Sequence, residues 1–237
     1  MSHRYFWTFP LAAALILTGC SSAAEPESAP VASETQTPDG NLDATQVETV
    51  VKNLLGDDPS LAVVGNTTMQ QQLELAKGMN SASGITPEKC AEQMEKYTVN
   101  DLTGSVAATG TVGDENLGKV LQVFSITDEA TQKKISDALT LDNIDGCETV
   151  TVEQSGEKLS ADRQILPLKV NADQSLTMST QMDAGGGQKL SSVVVQALKG
   201  KDFVIVTFQT GLNEPATLAT EAVELVNKAF DEISSLN

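Results

Sequence analysis

From residue 149 onward the chain is a series of short apolar segments, Thr149–Gln154, Ile165–Val170, Ser175–Met182, Leu190–Leu198 and Phe203–Phe208, with the connections SGEK, NADQ, DAGGGQK and KGKD among them. Parallel neighbours need crossovers of a dozen residues or more, so strands joined by such short, turn-rich links pair antiparallel. Val150 and Val152, then Leu176, Met178 and Met182, alternate with polar residues, as strands with one wet face do.

Upstream, Val106–Val112 and Lys119–Ile126 also read as strands. The run KVLQVFSI is apolar on both faces, the mark of a central strand covered on both sides. Helical signals frame the strands. Asp43 stands at an N-cap with Gln46 three residues later and Leu42 and Val47 as a hydrophobic staple, ahead of Val47, Val50, Val51, Leu54 and Leu55 at helical spacing and a stop at Gly56. Leu61–Val64 reads as a short strand, Met69–Lys77 as a helix and Gly78–Gly84 as a loop. Thr86, Pro87 and Glu88 look like the cap, first-turn proline and early acid of another helix, with Cys90, Met94 and Tyr97 on one face. Thr127, Asp128 and Glu129 open a further helix to about Leu141, with Ile135, Ala138 and Leu139 inward and Glu129 placed to pair with Lys133. A last helix from Glu214 and Pro215 carries the stripe Ala219, Ala222, Val223, Val226, Ala229, Phe230 and Ile233. The expected fold is α+β: an antiparallel sheet of about five to seven strands with helices packed on one side.

The N-terminus is of another kind. A basic start at Arg4 and an apolar run from Phe9 to Thr18 are too short to span a bilayer and read as a secretory signal. Leu17, Thr18, Gly19 and Cys20 resemble the lipobox of bacterial lipoproteins, which implies residues 1–19 as signal peptide and Cys20 as the lipidated mature N-terminus. Two acyl chains hold a protein on a membrane stably. The following SSAAEPESAPVASETQTPDG lacks large apolar side chains, so residues 20–41 are expected to be a solvated tether. Residues 42–237 remain, enough for a single domain with its own core. With Cys20 committed to lipid, Cys90 and Cys147 are the pair left for one disulfide in an oxidising compartment, with two free thiols as the alternative.

The chain has 15 basic and 32 acidic residues, a net charge of −17. Loss of the signal removes Arg4 and makes the balance more negative, which opposes nucleic acid and anionic surfaces. The one histidine, His3, lies in the signal, so His-based nucleophilic and metal sites are excluded from the mature protein. DAGGGQK lacks the ending and the helix of a phosphate-binding loop, and the acids of LDNIDGCE are not spaced as a calcium loop requires. Beyond the signal the aromatics are Tyr97, Phe124, Phe203, Phe208 and Phe230, few for stacking on sugars or bases. No catalytic residue, cofactor or metal site is singled out, and the expectation is a protein that is not an enzyme.

The succession of ITPEKC, a strand ending QVFSI, the helix TDEATQKKISDAL, DGCETVTV, hairpin strands and a helix after KDFVIVTF resembles the extracellular sensor domain of PknH-type mycobacterial kinases, over roughly residues 85–237. That resemblance implies a disulfide at Cys90 and Cys147 and a ligand cleft over the sheet. The family's second disulfide has no counterpart here. Together these readings suggest a membrane-anchored, extracytoplasmic ligand-binding or sensor-like lipoprotein. The alternatives are a lipid or glycolipid carrier with an apolar cavity and a module that binds another envelope protein. The partners expected are thus the membrane through the lipid anchor and a small-molecule, lipid or envelope-protein ligand, with no nucleic acid.

Overall fold

The computed structural model describes residues 41–76, 84–97, 102–113, 118–154, 157–183, 189–210 and 215–236. The expected signal, Cys20 and the expected tether up to residue 40, together with most of the 78–84 and 183–189 connections, lie outside them. The capping box at Asp43 forms in both directions. Asp43 Oδ1 accepts from the Gln46 amide at 2.8 Å, and Gln46 Oε1 accepts from the Asp43 amide at 2.9 Å. It opens α1 (Ala44–Leu55), which buries Val47, Val50, Val51 and Leu55. The further helices are α2 (Asn66–Ala76), α3 (Glu88–Tyr97), α4 (Glu129–Ala138) and α5 (Pro215–Leu236). Asp128 caps α4 by accepting from the Thr131 amide at 2.7 Å. Lys133 pairs with Asp137 one turn on, at 2.7 Å, rather than with Glu129.

The strands are β1 (Ala62–Val64), β2 (Ile85–Thr86), β3 (Val106–Gly113), β4 (Gly118–Ser125), β5 (Thr149–Gln154), β6 (Glu157–Ile165), β7 (Gln174–Asp183), β8 (Lys189–Lys199) and β9 (Asp202–Thr210). They form one sheet in the order β1-β3-β4-β9-β8-β7-β6-β5-β2. Every neighbouring pair is antiparallel.

Nine strands among the described residues correct the expectation of five to seven. Thr86 is not a helix cap, because its backbone pairs with Thr151 in β2. The strand expected over Ile165–Val170 is instead β6, ending at Ile165. Pro167 has no N–H to give a ladder, and Leu166 and Leu168 bond to Thr177 and to Leu166 in an irregular turn.

Helices cover both faces, which corrects the one-sided arrangement. Alternation along β3, β4, β8 and β9 divides their side chains between two cores. On one face Ala108, Val112, Leu121, Val123, Val193, Val195, Val204, Val206 and Phe208 pack with α1 and α5. On the other, Ala107, Phe124, Leu198 and Phe203 pack with Met69 of α2, Cys90 of α3 and Ile135 of α4. Strands apolar on both sides have to be covered on both sides.

Two close contacts on the α1/α5 face have measurable consequences. A Cβ on Gly110 of β3 would come within 2.5 Å of Val51 Cγ1 and 3.0 Å of Leu55 Cδ1, so the absence of a side chain sets how near α1 lies to the sheet. Gly110→Ala is expected to destabilise the fold by about 1–3 kcal/mol through overpacking, read as a lower urea midpoint.

The second contact lies where the chain enters the fold. The Leu42 amide donates to Ser125 Oγ at 3.0 Å, and Ser125 stands opposite Asp202 in the β4–β9 ladder. Burial pushes the Asp202 carboxyl up to about 6, against a smaller downward pull from the Ser125 hydrogen bond. Lys199, opposite Asp202 in the hairpin, sends its Nζ over the Phe230 ring, 5.7 Å from the centroid. Because the folded-state pKa is raised, the native state holds the proton more tightly than the unfolded chain. This contribution is full below about pH 4 and is lost as pH rises through 6. After allowance for partial solvent screening, stability should fall by about 1–2 kcal/mol across that window. Asp202→Asn should remove this component and be more stable than the parent at pH 7, as denaturant titrations of both proteins at pH 4 and 7 would show.

Candidate functional site

Cys90 on α3 and Cys147, just before β5, are bonded to each other with Cα atoms 5.5 Å apart. Both are buried. Cys20 lies outside the described residues. The bond closes a sequence separation of 57 residues and fixes α3 beside β5. One turn beyond Cys90, Gln93 and Met94 extend from α3 over a cleft that the sequence reading did not locate.

The floor of the cleft is the α2–α4 face of β6, β7 and β8, and its lining joins Arg163, Leu176, Met178, Thr180, Ser192, Val194 and Gln196 to Gln93, Met94 and Leu141 above. Its volume, as space open to water-sized molecules, is ≈80 Å³. A single water needs about 10–15 Å³ on that measure, so the cleft admits a few waters or one compact polar group. An acyl chain is far larger. Among the described residues no acid, cysteine or lysine lines it.

The ladder explains how the polar groups meet. Arg163 is opposite Thr180 in the β6–β7 register, and Thr180 is opposite Ser192 in the β7–β8 register. The three side chains therefore stand in one row across the floor, with directly opposed Cβ atoms about 4.5–5.5 Å apart. The next row is Ile165, Met178 and Val194. Apolar and polar rows thus run side by side.

Arg163 is the residue that sequence reasoning missed. It is 7% exposed, and its pKa is lowered from the ordinary arginine value by desolvation. A guanidinium nevertheless remains charged in proteins. The backbone is fixed, with the Arg163 amide bonded to Glu148 O at 2.6 Å. The available signal was the inward alternation of Leu159, Ala161, Arg163 and Ile165, in which the position between two apolar residues is filled by the single arginine after Arg4.

Elsewhere, Asp142 and Asp145 of LDNIDGCE are exposed. Among the described residues no group of three or more His, Cys, Asp or Glu side chains converges as a metal site would. No described helix is long and apolar enough to cross a membrane.

No family model matches the chain, and no curated protein matches it. Among solved structures it is similar to an uncharacterized protein from Mycobacterium smegmatis, with 15% identity, 81% of this chain and 97% of that chain covered, and a TM-score of 0.45. It is also similar to the extracellular domain of PknH from Mycobacterium tuberculosis, with 12% identity, 79% and 98% covered, and a TM-score of 0.40. At these identities and scores neither likeness bears on what this chain binds or does.

The disulfide gives this site a redox dependence. On the chain-entropy argument, opening a loop of this length costs about 4 kcal/mol. Reduction is expected to lower stability by that order and to raise hydrogen exchange in α3 before it does so in β4 and β9, as mass-detected exchange with and without reductant would report.

Proposed function

We propose that the protein is a lipid-anchored, extracytoplasmic domain that binds a small ligand, without enzymatic turnover, in the cleft between α3 and the β6–β8 floor. The observation that carries this reading is the cleft itself: on a sheet whose α1/α5 face is closed by side chains, a gap with a mixed polar and apolar lining persists under a helix held by a disulfide. Apolar walls with a few convergent polar groups are the usual form of a small-molecule site. Among the described residues its lining contains no group that exchanges a proton near neutral pH, since the arginine stays charged and the rest are amides, hydroxyls, thioethers and hydrocarbons. That supports binding over catalysis, and the size of the cleft favours a small ligand over the acyl chain that a lipid carrier would hold.

The anchor and the address rest on the lipobox at Leu17–Cys20 and the tether behind it. The buried disulfide fits an oxidising compartment. In this arrangement the acyl group keeps the protein on the membrane while the tether lets the cleft face the surrounding medium.

Native mass spectrometry of the protein from its own host tests the reading. The parent should carry a noncovalent adduct of small mass, and Val194→Trp, which fills the cleft from the centre of β8, should lose it while retaining a cooperative melt. Equal loading of the two proteins, or a parent without any adduct across several growth conditions, would count against the cleft as the ligand site.

A further inference from the structure

Among the described residues no carboxylate pairs with Arg163. Its Nη2 meets the thioether sulfur of Met178, at 3.3 Å, which is a weak acceptor, and Nε and Nη1 are buried without partners among those residues. The chain has 32 acidic residues, yet none of the described ones lines the cleft. A buried charge left without a partner is costly. Thr180 and Ser192 continue the row across the floor, and Gln93 Oε1 in the roof is also buried without a partner.

The geometry points to a binding site for a compact oxyanion, a carboxylate or a phosphate group, that pairs with Arg163 and is flanked by the hydroxyls of Thr180 and Ser192; the inference rests on the cleft being the ligand site and specifies what that ligand presents to it. A planar, multi-donor guanidinium suits carboxylate and phosphate oxygens, and such charge-assisted bonds strengthen away from water. A space of ≈80 Å³ fits a group of this size. Gln93 Oε1 could accept from a donor on the same ligand, such as the hydroxyl of a hydroxy acid or of a protonated phosphate. The net charge of −17 works against long-range attraction of anions, so capture depends on the local arginine.

The test uses the full-length protein in neutral detergent, with sodium phosphate or sodium acetate titrated against chloride at constant ionic strength and thermal unfolding as the readout. The parent should show a saturable rise in Tm of several degrees with at least one of the two. Arg163→Met should start from an equal or higher Tm, because it removes an unpaired charge, and should show no saturable rise. If that variant does not fold, Arg163→Lys takes its place, with at least tenfold weaker apparent affinity expected. The same proteins in phosphatidylglycerol and phosphatidylcholine vesicles separate the two sources of such a group. An Arg163-dependent rise confined to phosphatidylglycerol assigns the oxyanion to a lipid headgroup, and a rise with the free anions assigns it to a soluble acid. Absence of an Arg163-dependent response in all arms overturns the inference. If the native adduct nonetheless persists in Arg163→Met and is lost in Val194→Trp, the cleft stands as the ligand site and only its oxyanion specificity falls.

Discussion

The sheet depends on one ladder, the pairing of β4 with β9. All eight residues of β4, Gly118 to Ser125, find partners between Asp202 and Gln209, and this joins the β1-β3-β4 group to the β5–β9 meander. Chain segments about eighty residues apart must meet before either strand is covered, and such non-local pairing is entropically expensive to form. Both strands can bear it because both are apolar on two sides: Leu121 and Val123 oppose Phe124 across β4, and Val204, Val206 and Phe208 oppose Phe203 and Ile205 across β9. Two interior strands with no wet face then require helices above and below.

From that requirement follows the unequal treatment of the two faces. Above, α5 runs 22 residues, packs on β8 and β9, and meets α1, which covers β3. Below, α2, α3 and α4 are each only ten or eleven residues long. α2 lies by β3 and α3 is held to the β2–β5 edge, while α4 reaches the β8–β9 turn, where Gln132 Nε2 donates to Gly200 O at 2.6 Å. Three short helices placed at the ends leave β6, β7 and β8 incompletely roofed. The cleft is what remains between them.

Much of this was legible in the residues. The Asp43–Gln46 reciprocity, the apolar stripe after Pro215 and the β-branched runs of β4, β8 and β9 state their structures locally, because cap, period and propensity agree. β6 escaped because its inward positions hold Ala161 and Arg163, where pattern reading looks for large apolar groups, while the richer LPLKV next to it drew the assignment. β2 escaped because two residues carry no period. The second layer of helices was implicit in KVLQVFSI, since a strand apolar on both faces is incompatible with helices on one side only. That implication concerns which helix covers which face, and only tertiary packing decides it.

The site was the least legible part, and the reason is physical. A lone arginine in a polar stretch reads as a solvated surface residue, and its meaning depends on which neighbours the sheet register brings beside it. Register places Arg163 against Thr180 and Thr180 against Ser192, and the alternation of β6 turns all three toward α3 rather than toward water. A shift of one residue in the β6–β7 pairing would send the guanidinium to the opposite face and set its neighbours Asp162 or Gln164 over the cleft instead. The charge of the cleft is therefore a property of the ladder. The disulfide at Cys90 and Cys147 contributes by holding α3 over that row, so that a side chain able to reach solvent on an open sheet is kept in a space where its charge needs an anion.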